Sequence, residues 1–166
     1  MKITRALVAG AAGTAVMTLI LAIGWTAFHA VALGENMIVD NAPLQNSAIR
    51  IGLAAYVVIG IVSGVVYGLI FEFVTRRAGW LIGGIVGALH ATGTLIALTL
   101  IFWFGGDVIS EAAPFAVEMF HHPALVAIVI AAQVAYGATI GAVYGKTVHK
   151  AVTPVVVQWY EVTSWV

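Results

Sequence analysis

His90 is the one ionisable side chain well inside an apolar run, ten residues after Trp80. At about 1.5 Å of rise per helical residue it lies about 15 Å deep, near the midplane of a bilayer. Gly83, Gly87, His90 and Thr94 share a helix face, so the imidazole is expected to point into a bundle. Thr18, Tyr56 and Gln133 fall at similar depth in other apolar runs. Together they predict a polar midplane layer, with Gln133 and Tyr56 as the expected partners of His90. An intramembrane histidine suggests a function such as proton or solute movement. The plainer reading is an imidazole making one or two interhelical hydrogen bonds, each worth about 0.6–2 kcal/mol.

A second constellation is Glu118, His121 and His122, in the stretch E-M-F-H-H. On a short interfacial helix capped by Ser110, the glutamate shares a face with both histidines. Such spacing could supply ligands to zinc, copper or iron, with His29 or Asp107 as a further donor. The plainer reading is that histidines before Pro123 simply end an interfacial helix, since the ligand set is incomplete. Haem would need two imidazoles at one depth on facing helices, which leaves only the outer histidines for haem or a metal. No cofactor is expected. The chain has no cysteine, which removes disulfides, thiolate sites and thiol nucleophiles together. No Ser-His-Asp set, buried carboxylate pair or phosphate loop can be read in it, so the expectation is a protein that is not an enzyme.

These residues must be positioned by membrane helices. Of 166 residues 62% are hydrophobic and 8% charged, against roughly 25% charged in a soluble domain. The formal charge is zero, with no basic block, so nucleic acid is not an expected partner. Four apolar runs, near 6–31, 49–74, 80–104 and 124–144, exceed the roughly 20 residues a helix needs to cross a bilayer. The first is too long for the apolar core of a signal peptide and reads as a retained helix. The expectation is an all-α four-helix antiparallel bundle over residues 1–147, then an apolar tail, 148–166, that packs on the membrane surface or on a partner. Lys2, Arg5, Arg76, Arg77, Lys146 and Lys150 fall on one side and Arg50 on the other. The positive-inside rule then places both termini in the cytoplasm, with Tyr67 and Tyr144 at that interface near headgroups or basic side chains.

The chain carries one pattern twice. Gly60, Gly64, Tyr67 and Gly68 align with Gly137, Gly141, Tyr144 and Gly145 at an offset of 77 residues. Gly10, Gly13 and Thr18 align with Gly84, Gly87 and Thr92 at an offset of 74. Two helical hairpins related by a tandem duplication are expected, of the parallel-repeat type. Small-residue faces at Ala6, Gly10 and Thr14, at Gly60, Gly64 and Gly68, at Gly79, Gly83 and Gly87, and at Gly137, Gly141 and Gly145 let helix backbones approach in lipid. The stretch A-G-A-A-G-T-A-V-M-T (Ala9 to Thr18), with G-x3-G-x2-Y-G closing the second and fourth helices, resembles a family of small uncharacterised prokaryotic four-helix membrane proteins. That resemblance implies the fold and the prokaryotic inner membrane, and brings no activity with it. The function expected is a non-catalytic accessory or scaffold subunit among other membrane subunits. The alternative is a small transporter or channel built around His90.

Overall fold

The structure, a computed structural model, describes residues 1–32, 47–112 and 119–146. Their elements are all helical: α1 Ile3–Ala32, α2 Ser47–Leu69 running on into a π-helical turn Ile70–Thr75, α3 Trp80–Ala112 and α4 Pro123–Tyr144. Ile3–Val31, Arg50–Thr75, Trp80–Phe104 and Pro123–Tyr144 are each long and apolar enough to cross a membrane, within a few residues of the expected spans. Ser110 does not open a separate helix, because α3 continues through it to Ala112. The 148–166 tail and Glu118 lie outside the described residues.

Local chemistry sets the ends. Pro123 occupies the first turn of α4 behind an extended His122, where a missing N–H costs nothing. The π turn stops at Arg76, which adopts the left-handed conformation at φ 51°. Gly145 closes α4 at φ 71°. It was expected on a packing face, yet a Cβ there would meet nothing nearer than the Val143 carbonyl at 4.0 Å. Gly145 is a terminator, not a packing residue.

The helices lie side by side in the order α2, α1, α4, α3. Close backbone approach decides which ones pair. A Cβ on Gly10 would strike the Ile61 carbonyl and Gly64, and one on Gly64 would strike Ala6 and Gly10. In the other hairpin Gly83 faces Gly137 and Gly141, while Gly87 faces the backbone of Gln133 and Val134. Residues without side chains let the helices dock backbone to backbone, the main source of affinity between helices in lipid. Gly83, not Gly84, sits against α4 as Gly10 sits against α2, since Gly84 has its nearest neighbours at 3.8 Å. The α1/α4 seam differs in kind: side chains of Tyr136 and Ile140 fill the space over Gly13, and Ile128 that over Gly24.

One core cluster holds Ala6, Met17, Tyr67, Phe71, Tyr136, Ile140 and Tyr144, and a second, smaller one holds Phe28, Met119 and Leu125. α2 and α3 hardly touch, although only residues 76–79 join them.

Candidate functional site: a groove between α2 and α3

The four residues expected at the midplane occupy three separate places. Thr18 donates to the Thr14 carbonyl at 2.7 Å, so at 3.1 Å from Tyr56 its oxygen accepts the tyrosine's proton. His90 meets neither Gln133 nor Tyr56. Its Nδ1 lies 3.1 Å from the hydroxyl of Tyr67 on α2, and the imidazole is exposed on the groove side of α3. Gln133 turns to another cavity, of about 260 Å³, beside Met17, Leu21, Leu98 and Met119. Its buried Oε1 has no hydrogen-bond partner among the described residues. Several threonines are silenced locally: Thr14, Thr92, Thr99 and Thr139 each donate to the carbonyl four residues back, which satisfies a hydroxyl inside an apolar helix.

Because α2 and α3 stand apart, a groove of about 550 Å³ opens between them. Val66, Ile70 and Val74 form one wall, Ile82, Ile85, Val86 and Leu89 the other, and Ser63, Tyr67 and His90 supply its polar end. Tyr136 stands behind it, its ring edge-on to Tyr67 with centroids 5.5 Å apart. The Tyr136 hydroxyl donates to the Gly60 carbonyl at 2.6 Å, with Ser63 also in hydrogen-bonding reach. An intrahelical carbonyl has a second lone pair to accept this bond. The bond therefore ties α4 to α2 past α1.

Nearer the 76–79 end a carboxylate is buried that the sequence reading did not single out. Glu72, 1% exposed, accepts the Tyr144 hydroxyl at 2.6 Å. The backbone of Lys2 also bonds that hydroxyl, and the charge of Arg5 lies close enough to act on it. Tyr144 is thus buried at 1% exposure and serves Glu72, where the sequence suggested an interfacial anchor. Tyr67, 3% exposed, serves His90. The available signal was a lone acid inside the 49–74 span, since an acid at such a position calls for a named partner. Its direction was hidden by the π turn, a geometry often found at functional positions.

The outer histidines are held by aromatic rings. Trp25 and His29 have centroids 4.4 Å apart, and Phe28 lies 5.0 Å from His122. His121 borders an apolar cavity of about 350 Å³ with Thr99, Phe102 and Trp103. Among the described residues no three histidines or acids gather at one point.

No protein-family model matches the chain, and neither does any curated protein or solved structure. What stands is an all-helical protein whose four long apolar helices suit a multi-pass membrane protein.

Proposed function

We propose that the chain is a non-catalytic integral membrane subunit, an accessory or scaffold of a larger membrane complex. The observation that supports this best is α2. It docks along α1 through Gly60, Gly64 and Gly68, while Ile51, Leu53, Val58 and Ile59 in its first half are exposed, and a Cβ on Gly52 would meet nothing within 4 Å. A helix in lipid associates through close packing, and α2 keeps most of its circumference free for another chain. The two hairpins are read as a tandem duplication with glycine-zipper seams, supported by the matching contacts of Gly10 with Gly64 and Gly83 with Gly141. Both termini face the cytoplasm of a prokaryotic inner membrane in this reading, supported by the basic residues Lys2, Arg5, Arg76, Arg77 and Lys146 at one end.

Native mass spectrometry after gentle extraction from the native membrane tests the proposal. A stoichiometric partner chain is expected, and a stable partner-free monomer contradicts it. The transporter alternative draws less support, because Thr18 with Tyr56, His90 with Tyr67, and Gln133 lie apart. Liposome flux that disappears in His90→Ala would restore it.

A further inference from the structure

The tautomer of His90 follows from its neighbour. The Tyr67 hydroxyl has one proton, and its one hydrogen-bonding partner among the described residues is Nδ1 of His90. Donation to Nδ1 is the arrangement that satisfies this buried hydroxyl, and it puts the hydrogen of the neutral ring on Nε2. That N–H has no partner among the described residues, and His90 lines the groove. An uncompensated donor is costly in hydrocarbon, where no water covers it. The groove thus has what a small-molecule site needs: a concave apolar wall, a volume in the usual range, and one fixed polar group.

We propose that the α2/α3 groove binds a neutral, membrane-dissolved molecule bearing a carbonyl, whose oxygen accepts the Nε2–H of His90 while its apolar part lies along Val66, Ile82 and Val86. Depth argues against the phospholipids themselves. His90 is about 15 Å from the Trp80 end, near the middle of a hydrocarbon core about 30 Å thick, whereas ester carbonyls of phospholipids stay at its boundary. A quinone head or the ester of a free, uncharged acyl chain reaches that depth by lateral entry from the bilayer. The site is independent of the subunit reading above, since it needs no second chain.

The test uses the full chain, 15N-labelled at histidine, in lipid nanodiscs, with His90→Leu assigning the His90 ring signal by its loss. Decylubiquinone and methyl palmitate are titrated separately, with hexadecane as the probe lacking an acceptor. The expected result is a saturable shift of the His90 Nε2–H signal with at least one carbonyl probe and none with hexadecane. Ile85→Trp, which fills the groove from its exposed wall, should weaken the apparent affinity by about tenfold or more. Saturation by decylubiquinone alone assigns a planar quinone head, and by both probes any carbonyl. The proposal is overturned if neither carbonyl probe saturates, if hexadecane shifts the signal equally, or if a folded Ile85→Trp protein binds as the parent does.

Discussion

At the α3/α4 seam, Gly83 and Gly87 of one helix face Gly137 and Gly141 of the other, so bare backbone meets bare backbone. At the α1/α2 seam the place of Gly87 is taken by Thr14, whose side chain covers Gly60 and is fixed by donating to the Gly10 carbonyl at 2.8 Å. The same kind of seam is therefore built in two ways, rigidly by glycine on both sides and adjustably by one small side chain. The tyrosines diverge as well: Tyr67 reaches α3 at His90, while Tyr144 reaches the end of α2 at Glu72. The glycine faces close each hairpin, the α1/α4 seam of Tyr136, Ile140 and Ile128 joins the two, and the bonds of Tyr67 to His90 and Tyr144 to Glu72 cross between them.

The difference between the seams sets an order of effects, measurable by unfolding in mixed micelles. Gly83→Ala should be the most damaging, because its Cβ meets the Gly137 carbonyl and the Gly141 Cα, neither of which can turn aside. A loss of about 3 kcal/mol is expected, the upper range for overpacking, and a loss below that of Gly60→Ala breaks the comparison. Tyr144→Phe follows, at about 2 kcal/mol, since it deprives a buried carboxylate of a donor. Tyr67→Phe should cost less than Tyr144→Phe, as its partner is exposed; equal costs would mean that the two tyrosines are equivalent after all. Gly60→Ala should cost about 1 kcal/mol, the worth of the Thr14 bond that must yield. Gly93→Ala should be the mildest: nothing lies within 4 Å of a Cβ there, and alanine's helix propensity favours the change by up to about 1 kcal/mol. A destabilised Gly93→Ala protein would point to a neighbour at that face.

The spans and the glycine faces were legible because hydropathy and small-residue spacing act locally along one helix. The register between hairpins was not, and Gly84 stood in for Gly83 because the alignment followed residue identity and not contact. His90 was picked out as the polar group of its span, and it does hydrogen-bond across helices, to Tyr67. Its partner was missed, because Tyr67 was read as an interfacial residue and Gln133 and Tyr56 as the groups at its depth, whereas the structure brings Tyr67 of α2 to His90. Helix order decides this: Tyr67, Phe71 and Tyr136 pack together in the core, and the glycines of α3 commit that helix to α4. Glu72 was missed for a different reason, since a π turn rotates residues off the face that a 3.6-residue period assigns them.

The helix order, with α1 and α4 in contact and α2 held apart from α3, underlies both the seams and the groove. A chain without cysteine suits paired-cysteine cross-linking in membranes, because a disulfide forms only where Cα atoms come within about 7 Å. Gly24→Cys with Ile128→Cys should cross-link rapidly across the α1/α4 seam, where a Cβ on Gly24 meets the Ile128 side chain. Val66→Cys with Ile85→Cys, on opposite walls of the groove, should stay reduced under the same oxidant. Rapid closure of the groove pair, with the Gly24 and Ile128 pair unlinked, would contradict this order of helices.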